Sequence, residues 1–165
     1  MARRLLLIVL IVFASMPMAY ADRIPVATPA QLVGCWSLVD MPAAMKSQMN
    51  EVDPYPQKYQ WFCFEPNGTM HTAASDTPMV YTTASLRAAF KKLANDDMRY
   101  EIMKAGVMRI QQISTHQEMG WQTEIFDQTY SNGLTMLAKG DMEMGLIDFA
   151  KGKVVYWRIL SPMKP

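Results

Sequence analysis

The thioethers of Met41, Met45 and Met49 recur every four residues, and soft sulfur at helical spacing is one way a protein holds Cu(I). His116 and Met119, from a later loop, are the donors such a site would add. Against it, the chain has two histidines in all, no His-x-x-Met run and no compact ligand box. The same spacing serves equally to seat a short helix on an apolar surface, or to line the mouth of a ligand site, because methionine is flexible and polarizable. Nucleophilic catalysis lacks a pattern to stand on. No Gly-x-Ser-x-Gly elbow and no glycine-rich phosphate loop occurs, and the acidic neighbours Glu51 with Asp53, or Glu118 beside His116, are ordinary for solvated loops. The expectation is a protein that is not an enzyme, with no cofactor and no resident metal.

The two cysteines, Cys35 and Cys63, are the remaining reactive candidates. Neither lies in a Cys-x-x-Cys pair or next to a histidine or lysine that would hold a thiolate, so a structural disulfide is expected over redox chemistry. That fits the start of the chain. Met1-Ala2-Arg3-Arg4, the apolar run Leu5 to Ala14 and the small-residue pattern Ala19-Tyr20-Ala21 read as a signal peptide over residues 1–21. Pro17 and the shortness of the run argue against a membrane span. The protein is therefore expected to be exported, to a periplasm or beyond, with residues 22–165 as one domain.

Without Arg3 and Arg4, the 16 basic residues fall to 14 against 15 acidic ones. This near balance, with no basic cluster, excludes a phosphate-binding face and hence nucleic acid as a partner. It equally gives no purchase on an anionic membrane surface.

The elements that must position these residues are mostly strands. Leu32 to Val39 alternates, and Asp40 and Pro42 then open a short helix carrying Met45, Met49 and Val52, stopped by Asp53-Pro54. Lys58 to Glu65 and Met70 to Ala73 flank the hairpin signal Pro66-Asn67-Gly68-Thr69. Asn67 also begins a formal glycosylation sequon, but the turn explains it. Thr82 or Thr83 can cap a second helix over residues 84–95. Strands follow over 99–104, 107–114 and 120–127, and a final hairpin over 141–149 and 154–160. Residues 128–139 are ambiguous, with Ser131-Asn132-Gly133 able to turn a small extra hairpin. The fold class is thus all-β with two short helices, and eight strands suffice for a closed antiparallel up-and-down barrel.

Leu32-Val33-Gly34-Cys35-Trp36 resembles the G-x-W signature of lipocalins and the wider calycin group, and Val154-Val155-Tyr156-Trp157-Arg158 supplies a last-strand arginine. The resemblance implies a barrel with Arg158 stacked against Trp36 near the closed end. Pairing Cys35 with Cys63 independently sets Trp36 opposite Phe62, Leu38 opposite Gln60 and Val39 opposite Tyr59, and turns Trp36, Phe62 and Phe64 inward. Tyr156 and Arg158 share a face of the last strand, leaving Arg158 either stacked on an indole or exposed beside Trp157.

Up-and-down order sorts the connections at 40–57, 74–98, 114–119 and 150–153 to one end. The two longest carry the helices, which makes them expected lids over an open mouth. The function expected from this geometry is binding of a small apolar or amphipathic molecule, touched by Trp36, Met45, Met49, Phe62, Phe64, Tyr156 and Arg158. The alternatives are a protein-interaction or inhibitor module, its barrel filled by Trp36, Phe62, Phe64, Phe126 and Tyr156, and the methionine copper site.

Overall fold

A computed structural model describes residues 23–92, 98–131 and 135–164, so the expected signal peptide lies outside the described residues. The strands are β1 (Arg23–Pro25), β2 (Gly34–Leu38), β3 (Tyr59–Phe64), β4 (Thr69–Ser75), β5 (Met98–Lys104), β6 (Val107–Gln112), β7 (Glu118–Phe126), β8 (Tyr130–Ser131), β9 (Met136–Leu137), β10 (Met142–Asp148) and β11 (Lys153–Pro162). Helix α1 spans Ala43–Met49 and α2 spans Thr83–Lys92. Eight strands close an antiparallel barrel in the order β7-β10-β11-β2-β3-β4-β5-β6, with β6 returning to β7. Alternation buries one face of each strand and leaves the other to solvent or to covering segments.

The first hairpin has the expected register: Cys35 faces Cys63, joined by a disulfide, and Trp36 faces Phe62. Regular pairing of β2 with β3 ends at Ser37 and Trp61, so Leu38 and Val39 leave the ladder before reaching Gln60 and Tyr59. The β3–β4 turn follows its sequence: Gly68 takes φ 83°, and the Asn67 side chain accepts the Thr69 N–H at 3.0 Å. Thr82 caps α2, its hydroxyl accepting the Ser85 N–H at 3.1 Å.

Inside the barrel, Trp36, Phe62, Phe64, Met70, Tyr100, Met108, Ile110, Trp121, Met142, Met144, Tyr156 and Leu160 form one core. Its floor comes from a segment that carries no periodic signal. β1 adds to the lower end of β7, and Val26 then bridges the Thr123 carbonyl and the Gly106 N–H. A turn of 3-10 helix at Pro29–Gln31 brings Leu32 under the barrel, where its carbonyl accepts the Trp36 indole N–H at 2.8 Å. Val26 and Leu32 are fully buried there.

Neither helix is a lid. Leu86 and Phe90 of α2 pack on Trp61 and the Cys35–Cys63 disulfide, the outer side of β2 and β3. Met45 and Met49 of α1 pack against Met41, Phe126 and Ile159. Ile159 and Phe126 alternate with the inward residues Arg158 and Ile125, so this second cluster also lies on the outside of the wall, and Phe126 does not fill the barrel as its strand position suggested. The physical reason is area: each outer face carries bulky apolar side chains, and a short amphipathic helix removes more of that surface from water against a wall than across a mouth.

The ambiguous stretch does form a small hairpin, Tyr130 pairing with Leu137 and Ser131 with Met136, while its tip at 132–134 lies outside the described residues. Among the described residues no helix is long and apolar enough to cross a membrane. Among the described residues β4 meets β5 through Thr69 with Arg99 and Met70 with Met98.

Candidate functional site

At the end opposite the floor, β11 and β2 part. Their register runs from Pro162 with Trp36 to Leu160 with Leu38, after which Val39 makes one more backbone bond to Ile159. Higher on β11, the 50–58 connection takes over the place of β2. The Trp157 N–H donates to the Asn50 side-chain oxygen at 2.7 Å, and Glu51 N–H donates to the Val155 carbonyl at 2.9 Å. From there the chain arches across the mouth and carries Tyr55 inward.

Beneath this arch lies a cleft of about 540 Å³, walled by Leu38, Met41, Lys46, Tyr55, Tyr156 and Arg158 among others. Asp40, Asp53, Lys46 and Lys58 edge it, with Asp40 paired to Lys46 at 3.3 Å and to Lys58 at 3.7 Å. A second, inner void of only about 70 Å³ lies among Phe62, Met70, Thr72, Met98, Ile110 and Trp121. Arg158 and Tyr55 line both spaces.

Arg158 is 3% exposed and makes neither a hydrogen bond nor an ion pair among the described residues; its Nε is buried without an acceptor. The guanidinium carbon sits 4.2 Å from the ring centroids of both Phe62 and Trp121 and 5.4 Å from that of Tyr55. Such ring contacts offset part of the cost of burying a cation, on the order of 2 kcal/mol each when desolvated. Burial pushes the Arg158 pKa down to about 10, which still leaves the group charged at neutral pH. Burial also raises the Tyr156 phenol above its ordinary value, so it stays neutral and supplies no counter-charge. The Trp121 indole N–H, adjacent to Arg158, likewise has no acceptor.

Tyr55 holds the arch down. Its hydroxyl donates to the Met119 sulfur at 3.2 Å, its ring lies 5.8 Å from Tyr156 and 6.2 Å from Trp121, and its carbonyl accepts from the buried Gln60 amide at 2.9 Å.

Of the residues singled out in the sequence, Tyr156 and Arg158 line the mouth cleft, and Phe62, on the inner void, meets Arg158 from within. Trp36 lies at the floor instead, level with Pro162, and Phe64 packs edge-on to Tyr100 at 5.1 Å. Arg158 is stacked, but on Trp121 and Phe62 rather than on Trp36, and at the open end rather than the closed one. Met45 and Met49 lie outside the wall; the segment contributes Met41 and Lys46 to the cleft. Of the candidate copper donors, Met41, Met45 and Met49 share the outer cluster, whereas Met119 packs on the inner core, apart from them. Trp121, Tyr55 and Gln60 were not foreseen. Trp121 sits at an inward position of an alternating strand and could have been read from it, whereas Tyr55, between Pro54 and Pro56, carries no periodicity at all.

Compared with family models, curated proteins and solved structures, the chain matches none.

Proposed function

We propose that this is an exported, lipocalin-like binding protein whose small amphipathic ligand sits at the barrel mouth, under the 50–58 arch, rather than deep inside. The observation carrying this reading is the contrast between the two spaces: about 540 Å³ at the mouth against about 70 Å³ within. Ligand pockets usually span about 300 to 1,000 Å³, so the inner void is too small and the outer cleft falls in range. Export rests on the basic, apolar and Ala-x-Ala sequence of residues 1–21 and on a disulfide that an oxidising compartment would preserve.

The filled interior also supports a second reading, in which the barrel is a rigid support for loops that contact another exported protein. Native mass spectrometry of the protein purified gently from its own host separates the two. Retention of a small molecule that is lost on Tyr55→Ala, with the barrel still folded by circular dichroism, supports the mouth site. A clean apo mass, together with a stoichiometric protein partner in the same preparation, moves the assignment to the interaction module.

A further inference from the structure

A buried cation without an anion is an incomplete arrangement. Moving a charge out of water costs several kcal/mol, and proteins normally return part of that through a carboxylate or a set of carbonyl acceptors. Arg158 has neither among the described residues, although it is 3% exposed. Its surroundings are otherwise well organised. The ring centroids of Phe62 and Trp121 each lie 4.2 Å from the guanidinium carbon, and Tyr156 and Tyr55 flank it. Among the described residues none accepts from its N–H groups, and the residue forms part of the wall of the cleft.

A guanidinium edge presents two parallel N–H donors, which match the two oxygens of a carboxylate in one plane. The carboxylates that do border the cleft are not available for this. Asp40 is held by Lys46 and Lys58, and Asp53 accepts the Tyr55 backbone N–H at 3.3 Å while remaining exposed. Inward of Arg158 the walls turn apolar, with Phe62, Met70, Met98, Ile110 and Met119. Outward, Leu38, Met41, Pro42 and Pro56 offer a strip of apolar surface beneath the arch.

Building on the mouth-binding reading, we infer that the ligand is an acidic amphiphile, its carboxylate seated on the N–H edge of Arg158 and its apolar body lying along the cleft under Tyr55. The anion completes the arrangement that the fold leaves open, and the aromatic rings hold the guanidinium in place before the ligand arrives. Preorganisation of this kind lowers the ordering cost on binding.

The test is calorimetric titration of the full folded protein with three probes sharing one chain: decanoate, decanol and decyltrimethylammonium. Decanoate is expected to bind at least about tenfold more tightly than decanol, and the cation most weakly. Arg158→Met, which keeps length and apolar contact, should abolish the preference, bringing decanoate and decanol within about twofold of each other. Arg158→Lys keeps the charge but not the fork, and should retain part of the preference, which gives a reading even if the methionine variant does not fold. Equal affinities of the wild type for decanoate and decanol would overturn the carboxylate assignment and leave mouth binding standing. No binding of any of the three would remove both.

Discussion

The guanidinium of Arg158 lies 4.2 Å over the ring of Trp121, although the two residues belong to strands that are not neighbours; β10 runs between them. The stack therefore braces the barrel across its interior instead of along its wall. Arg158→Met and Trp121→Leu should couple in a double-mutant cycle by about 1 to 2 kcal/mol, read from urea unfolding. Additive losses would mean that each side chain is held by other contacts.

Gly145 sits opposite Trp157 on the outer face, and a Cβ there would fall 2.6 Å from the indole and 2.7 Å from Val154. Gly145→Ala should cost about 1 to 3 kcal/mol by pushing the ring off the sheet. Combining it with Trp157→Leu should return a good part of that loss. A neutral Gly145→Ala, measured by thermal unfolding, would mean the ring is free to move aside.

The Cys35–Cys63 disulfide closes a loop of 28 residues that contains α1 and the whole arch. On the loop-entropy account its removal, as Cys35→Ala with Cys63→Ala, should lower stability by about 3 to 4 kcal/mol. Because Cys63 also packs under Leu86 and Phe90, α2 should loosen first, visible as faster amide exchange in that helix than in β10 and β11.

Glu143 is buried on the outer wall, where desolvation raises its pKa more than Arg23 lowers it, with Glu124 adding repulsion. A carboxyl whose folded pKa is raised stabilises the fold fully below its ordinary value of 4.5 and loses that contribution as pH rises through the folded value. Glu143→Gln should therefore gain on the wild type in going from pH 4 to pH 7, while Arg23 keeps Glu124 at 3.6 Å. Parallel denaturation curves at the two pH values decide it; a constant difference between the proteins would mean the group titrates normally.

Strand alternation and turn chemistry made the barrel readable in advance. Cys35 with Cys63 fixed the register of β2 on β3, and parity put Tyr156 and Arg158 on one face of the last strand without saying whether that face turned inward. The floor escaped detection: Arg23–Pro25 is three residues long, Val26 acts through tertiary position rather than pattern, and Leu32, read as the start of the first alternating strand, belongs to the turn before it. The helices were legible as helices, yet the spacing of Met45 and Met49 identifies an apolar side without saying which surface it meets. The partner of Arg158 was hidden for a similar reason, since Trp121 reaches it only once β7, β10 and β11 are laid side by side.

Among the described residues the join between β4 and β5 has two rungs, and Met70 and Met98, which form one of them, also line the inner void. A side chain that is at once a rung of the wall and a face of the cavity ties the two together: shortening Met70 or Met98 would enlarge the space within and slacken the same stretch of wall.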